Sequence, residues 1–223
     1  MNITPQTALE QCETLMLDMD GTILDLAFDN YVWTDLVPRR YAAANKLTFE
    51  EAREQLFNKY RSVQGDLQWY CLDHWNDQLG IDVVKVHHDV THRIGYLPGA
   101  LEFLRKMRDS DTRVLLVTNS HPDTLDLKDA VTGLADYFDG IYSSHSYGHP
   151  KESQAFWHAL QDDVDFDVGT TLFVDDSLPV LRSARDYGVQ MLVTVTRPDT
   201  SAPRRSGSEF RGVEGVGDML AED

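Results

Sequence analysis

Leu15-Met16-Leu17-Asp18-Met19-Asp20-Gly21-Thr22 is an apolar run that stops at two acids placed two residues apart and then turns at a glycine. Three apolar residues without alternation suit a strand buried on both faces of a parallel sheet. Two further runs end in the same way, Val114-Leu115-Leu116-Val117 before Thr118 and Leu172-Phe173-Val174 before Asp175. Ile141-Tyr142-Ser143 and Met191-Leu192-Val193-Thr194-Val195 read as two weaker members of the set. Helical segments fall between them, at Gly99 to Asp109, Thr124 to Gly133, Ser153 to Gln161 and Leu178 to Gly188, with Gly133 and Gly188 as stops. Strand and helix alternate, which predicts an α/β fold with a doubly wound parallel sheet.

Between the first and second strands, residues 23–97 carry no comparable run and read as helices. The expected organisation is a discontinuous core, 1–22 and 98–223, with an inserted helical bundle, 23–97, joined through hinges near Thr22 to Ala27 and Tyr96 to Gly99. Thr48-Phe49-Glu50-Glu51 is a capping box. Pro38 should break or restart the first helix of the insertion. Leu67, Cys71, Trp75 and Leu79 recur at helical spacing before Gly80 and predict one amphipathic helix. The Pro-, Ser- and Arg-containing stretch from Arg197 reads as an extended connection with a short closing helix at Val216 to Ala221.

The chain has 223 residues with 20 Lys and Arg against 37 Asp and Glu, a net charge of −17. That balance disfavours nucleic acid and anionic membrane as partners, so an anionic substrate must meet a local cationic site. With 42% hydrophobic residues the chain can bury a core. Cys12 and Cys71 form no CxxC pair and read as core thiols of a reducing compartment. No stretch reaches the roughly 18 apolar residues of a membrane span, and the expected location is cytoplasmic.

Parallel strands bring their carboxyl ends to one edge, where open α/β sheets bind ligands. Asp18 and Asp20, two apart on an extended segment, would then serve one site. Crowded carboxylates call for a cation, and hard oxygen ligands select Mg²⁺; Asp175-Asp176 can complete that metal site. Thr118 and Asn119 offer a hydroxyl and amides to phosphate oxygens. Lys151, one of six lysines in an acidic chain, can offset phosphate and carboxylate charge.

In order and spacing, Leu17-Asp18-Met19-Asp20-Gly21-Thr22, Val117-Thr118-Asn119, Lys151 and Phe173-Val174-Asp175-Asp176-Ser177 resemble the four motifs of the haloacid dehalogenase-like hydrolases, in the branch with a helical cap after the first motif. The resemblance implies that Asp18 attacks phosphorus and forms an aspartyl phosphate, and that Asp20 protonates the leaving oxygen and then activates water. It implies that Thr118 and Lys151 hold the phosphoryl group with Asn119 in support. Mg²⁺ would sit on Asp18, the Asp20 backbone and Asp176, with Asp175 a ligand or directly behind one. Dehalogenating members lack an acid two positions after the nucleophile, because halide needs no proton whereas an alkoxide does.

The stretches Asp18 to Tyr31, Trp69-Tyr70-Cys71-Leu72-Asp73 and Gly148-His149-Pro150-Lys151-Glu152 further resemble the bacterial nucleotidases that act on GMP and IMP. That implies a purine nucleotide substrate, for which Trp33, Trp69, Arg39 and Arg61 are the candidate cap contacts. Packing inside the bundle is the plainer role for Trp33, Trp69, Tyr70 and Trp75. His88 and His92, spaced i, i+4 without an HExxH glutamate, read as a solvated helix face, His149 as loop packing, and Arg204-Arg205 as a solvated tail. The alternatives are a phosphatase for a sugar phosphate or phosphoglycolate, a phosphomutase, and a nucleotide-binding regulatory module on the same scaffold.

Overall fold

The computed structural model describes residues 3–220. Strands β1 (Thr14–Leu17), β2 (Arg113–Thr118), β3 (Gly140–Ser143), β4 (Thr171–Asp175), β5 (Met191–Val195) and β6 (Arg211–Val213) form one sheet in the order β3-β2-β1-β4-β5-β6. Every neighbouring pair is parallel. β1 is central, with Leu15 opposite Val114 on one side and Leu172 on the other, so all four of its residues are buried and none alternates. All five expected strands are present. β6 escapes the sequence reading because it is a short edge strand, Arg-Gly-Val, that buries only Val213.

Helix α1 (Pro5–Gln11) leads into β1. The insertion holds α2 (Ala27–Tyr31), α3 (Val37–Asn45), α4 (Phe49–Ser62), α5 (Leu67–Tyr70), α6 (Leu72–Leu79) and α7 (Val83–His88). The strands are then linked by α8 (Ala100–Arg108), α9 (Pro122–Thr132), α10 (Ser144–Tyr147), α11 (Gln154–Asp163) and α12 (Leu178–Tyr187). Alternate strand residues divide between two cores. Met16, Leu115, Val117 and Phe173 pack with Phe156 and Trp157 of α11 and Leu181 of α12. Leu15, Leu17, Leu116 and Val174 pack with Phe103 and Leu104 of α8, and that cluster runs on without a gap into Phe28, Val37, Leu56, Trp75 and Val86 of the insertion. Each such side chain contributes about 1.5–3 kcal/mol through burial, so the shared cluster ties the helical insertion to one face of the sheet.

The capping box at Thr48 and Glu51 is formed, with both reciprocal hydrogen bonds present. Pro38 marks the expected restart. A wide π turn, Val32–Leu36, precedes it, Val37 N donates to Val32 O, and Pro38 falls in the first turn of α3, where its missing N–H has no cost. The single helix expected from Leu67 to Leu79 is two helices, because Cys71 is extended (φ −89°, ψ 112°). The break leaves the Trp69 carbonyl free to accept from Trp75 Nε1 at 2.9 Å. The expected closing helix is a 3₁₀ turn, Val216–Met219, and Ala221 lies outside the described residues.

The two connections to the insertion pair with each other. Leu24 and Tyr96 form an antiparallel bridge, Asp25 N donates to Gly95 O and Leu97 N to Ile23 O, each at 2.9 Å. The stretch after Arg197, expected only to be extended, clasps this junction: Leu26 N donates to Pro198 O at 2.9 Å, Asn30 Nδ2 to Asp199 Oδ2 at 2.7 Å, and Thr200 Oγ1 to Asp25.

Candidate active site

Parallel pairing delivers Asp18, just beyond β1, Thr118 at the end of β2 and Asp175 at the end of β4 to one edge. Past Asp18 the chain is not extended as expected. The Met19 carbonyl gathers Ile23 N at 3.0 Å and Leu24 N at 2.9 Å, and Asp20 sits on the resulting turn; Asp18 and Asp20 still line one cavity. Gly21 permits this turn. Its φ is +87°, and a Cβ there would fall 2.8 Å from Asp176 Cγ and 2.9 Å from Pro198 Cβ.

Lys151 is 2% exposed, and its Nζ donates to Asp18 Oδ1 at 2.5 Å, Asp175 Oδ2 at 2.8 Å and Val117 O at 2.9 Å, using all three ammonium protons. Burial disfavours the ammonium, but the Asp175 and Asp18 carboxylates outweigh it and hold Lys151 charged. Asp175 Oδ1 accepts from Ser177 N at 2.7 Å, so both of its oxygens are engaged. Asn119 braces this lysine, with Oδ1 accepting from Lys151 N at 2.9 Å and Nδ2 donating to Glu152 Oε2 at 3.0 Å. Tyr70, from the insertion, donates to Glu152 Oε1 at 2.7 Å, which links α5 to the loop that carries Lys151.

Sequence reasoning missed two cations. Lys128 of α9 is 1% exposed and donates to Asp20 Oδ1 at 2.6 Å and to Asp29 Oδ1 and Oδ2 of α2 at 2.7 and 2.9 Å. Its one sequence signal is position: it follows Leu127 and lies i+4 from Thr124, on the buried face of its helix. Arg205, read as a solvated tail, instead donates from Nη1 to Asp176 Oδ2 at 2.9 Å and to Asp176 O at 3.0 Å. Arg204 likewise has partners, Thr196 Oγ1 and Glu214.

The donor set fits a hard divalent cation. Asp18, Asp175 and Asp176 present oxygens within 4.8 Å of one another. Among the described residues these three carboxylates, Asp20 and Asp29 pair with three cations, Lys128, Lys151 and Arg205, so acids outnumber cations at the site. The strain shows in the acids. Burial, reinforced by neighbouring carboxylates, pushes Asp18 and Asp176 up to about 7, and burial pushes Asp175 to about 6.

Above these acids lies a cavity of about 850 Å³, within the size range of small-molecule sites. Thr118, Asn119 and Lys151 line its floor, and Trp33, Tyr60, Arg61, Trp69 and Trp75 line its wall. Three of the four expected cap contacts, Trp33, Arg61 and Trp69, are therefore brought to the cavity. Arg39 is not: it is exposed, paired with Asp35 at 2.8 Å and stacked over Phe49. The wall tryptophans also pack on one another edge-on, Trp33 against Tyr60 and Trp75 at 5.9 Å and Trp69 against Tyr60 at 5.8 Å. His88, His92 and His149 are exposed, and His121 lines the cavity.

A model of the haloacid dehalogenase-like hydrolase family matches residues 12–188. The GMP/IMP nucleotidase YrfG of Escherichia coli is 40% identical over 193 residues, 86% of this chain and 87% of that protein. Among solved structures, a HAD phosphatase from Thermococcus onnurineus superposes with a TM-score of 0.76 at 19% identity, over 93% of this chain and 95% of that one. The HAD-hydrolase YfnB of Bacillus subtilis, described as bound to magnesium, superposes with a TM-score of 0.66 at 16% identity, over 94% and 97%.

Proposed function

The chain belongs to the haloacid dehalogenase-like hydrolases, and on that premise we propose a Mg²⁺-dependent purine 5′-nucleotidase that hydrolyses GMP and IMP through an aspartyl phosphate on Asp18. It is a phosphoric monoester hydrolase. The observation that carries the proposal is the pairing of Asp18 with Lys151 and Asp20 with Lys128 on the floor of one cavity with an aromatic wall. In this reading residues 23–97 cap a core of 1–22 and 98–223. Two unpaired cysteines accord with the reducing cytoplasm, and among the described residues no helix is long and apolar enough to cross a membrane.

The Asp18 carboxylate attacks phosphorus, the bond to the nucleoside 5′-oxygen breaks, and Asp20 delivers a proton to that oxygen. Asp20 then takes a proton from water as the water attacks the acyl phosphate and frees Asp18. Lys128 anchors Asp20 through Oδ1, which leaves Oδ2 for the proton. The Thr118 hydroxyl holds a transferring oxygen while the Lys151 ammonium, fixed on Asp18, Asp175 and Val117 O, offsets the charge beside it, and positioning of this kind supplies most of the catalysis of phosphoryl transfer. Asp18, Asp176 and the Asp20 backbone, supported by Asp175, would hold Mg²⁺, which when bound would supply charge stabilisation at the phosphoryl oxygens. Purine stacking on the tryptophan wall and donation from Arg61 to the base set the substrate.

Phosphate release by the purified protein from GMP, IMP, AMP, UMP, sugar phosphates and phosphoglycolate, with Mg²⁺ or chelator, tests the proposal, with Asp18→Asn as the control. Selective, metal-dependent release from GMP and IMP that Asp18→Asn abolishes is expected. Activity confined to other phosphates overturns the nucleotide assignment, and metal-dependent turnover by Asp18→Asn overturns the mechanism.

A further inference from the structure

Outside the carboxylate cluster, Cys71, His121 and His145 bring a sulfur and two imidazole nitrogens within 4.8 Å of one another. The three come from separate parts of the fold. Cys71 is the extended residue that splits α5 from α6, His121 precedes α9, and His145 lies in α10 just beyond β3. His145 Nε2 is buried and makes no well-formed hydrogen bond among the described residues, although the Tyr70 and Asn119 backbones lie beside the ring. The Cys71 side chain caps neither flanking helix, and no disulfide engages its thiol. The two rings stand nearly perpendicular, with centroids 5.0 Å apart. Asp73 adds a carboxylate oxygen 3.7 Å from His121 Nε2, and Asp123 places one 3.7 Å from His121 Nδ1.

From this geometry we propose a second metal site, selective for a thiophilic divalent ion with zinc as its occupant, that bridges the helical insertion and the sheet. One thiolate, two imidazoles and the Asp73 carboxylate form a four-ligand set suited to zinc, whereas Mg²⁺ takes the oxygen-only site. Zinc bond lengths place tetrahedral ligand atoms about 3.5 Å apart, so side-chain rotations that close gaps of about 1 Å assemble the site. The Cys71 thiol releases its proton to solvent on binding. His121 Nδ1 accepts from Asp123 N at 3.3 Å, so binding an ion through Nε2 exchanges that cap for Nδ1–H donation to the Asp123 carboxylate 3.7 Å away. Cys71 belongs to the insertion and both histidines to the sheet layer, so a bound ion fixes one against the other. Occupancy therefore opposes the opening that lets substrate enter, an effect that rests on the hydrolase reading, whereas the binding does not.

Cobalt(II) as a spectroscopic stand-in for zinc, titrated into Mg²⁺-saturated protein, tests the site directly. A thiolate-to-cobalt charge-transfer band is expected in the wild type and is displaced by zinc. It is expected to persist in Cys12→Ala, and affinity should fall by about 10²-fold or more in Cys71→Ala, Cys71→Ser and His145→Gln, each checked for folding by circular dichroism. No band in the folded wild type, or a band that survives Cys71→Ser, overturns the proposal. Phosphate release in Mg²⁺ should be inhibited by zinc in the wild type and resist it in Cys71→Ala. Equal inhibition of both overturns the coupling to opening. A thiolate band in a protein that releases phosphate from no substrate would confirm the site and refute the hydrolase reading.

Discussion

Lys128 and Asp20 meet at 2.6 Å between two layers of the fold, the lysine from a helix flanking the sheet and the acid from the turn that leads into the helical insertion. Asp29 of the insertion holds the same ammonium, so one buried cation serves both the proposed general acid and the contact between the layers. Lys128→Met strands two carboxylates with their cation removed, and loss of one partner from a buried pair costs about 3–5 kcal/mol. The expected outcome is a large fall in Tm together with a fall in kcat. Adding Asp29→Asn to Lys128→Met should restore part of the stability and none of kcat, because Asp20 still lacks its anchor. Additive losses in the double-mutant cycle would show that the three groups act independently.

Asp20→Asn removes the transferable proton while keeping the shape of the turn. Turnover of GMP and IMP should slow by roughly 10²- to 10⁴-fold, the usual share of general acid–base catalysis. An activated ester such as p-nitrophenyl phosphate needs less help in leaving and should suffer less in the first step. A wild-type rate on GMP and IMP would place the proton donor elsewhere.

Trp33 and Arg39 separate a cavity residue from a surface one although both were candidates in sequence. Base–aromatic stacking contributes about 1–3 kcal/mol, so Trp33→Leu should raise KM for GMP about tenfold or more and leave KM for a sugar phosphate nearly unchanged. Arg39→Ala, which removes an exposed pair with Asp35, should change neither. Steady-state kinetics on both substrates would check the pair of variants.

The strand-end acids were legible because each terminates an apolar run, and a run buried on both faces has to finish at the sheet edge where ligands bind. Asp18, Thr118 and Asp175-Asp176 are therefore found at that edge, whereas Lys151 ends no such run and reaches the edge from the loop before α11. Lys128, Asp29 and Arg205 were not legible, because their function lies in partners at a distance: Lys128 and Asp20 are separated by 108 residues, and nothing local to either one announces the other. Cys71 misled for a related reason. Its spacing from Leu67 and Trp75 is helical, but the Trp75 indole takes the carbonyl of Trp69 and the chain breaks between them. Arg61 and Arg39 illustrate the limit most plainly, since periodicity gives a helix its faces and only packing determines which face meets the cavity.

His87 carries a pH dependence of its own. Its ring is buried, with Nδ1 donating to Val83 O at 2.8 Å, an edge contact to Trp33 and a tilted contact to Phe28, and burial lowers its pKa to about 4. In the unfolded chain a histidine titrates near 6.5. Above about 6.5 the ring is neutral in both states and contributes no pH dependence. As pH falls from there toward 4, the unfolded chain takes up a proton that the folded one refuses, so stability is lost across that window, reaching about 3 kcal/mol at its acid end. Asp18, Asp29 and Asp176, raised to about 7 chiefly by burial, act in the opposite sense, because the folded state then binds protons more readily than the unfolded one. The raw pH profile of the wild type mixes the two. The difference between the wild type and His87→Gln isolates the histidine, since the carboxylates are common to both. On acidification from pH 7 to pH 4 the wild type should lose ground to the variant by about 3 kcal/mol, or roughly 10 °C in Tm. Parallel Tm profiles for the two proteins would mean that His87 takes up its proton as readily in the folded state as in the unfolded chain.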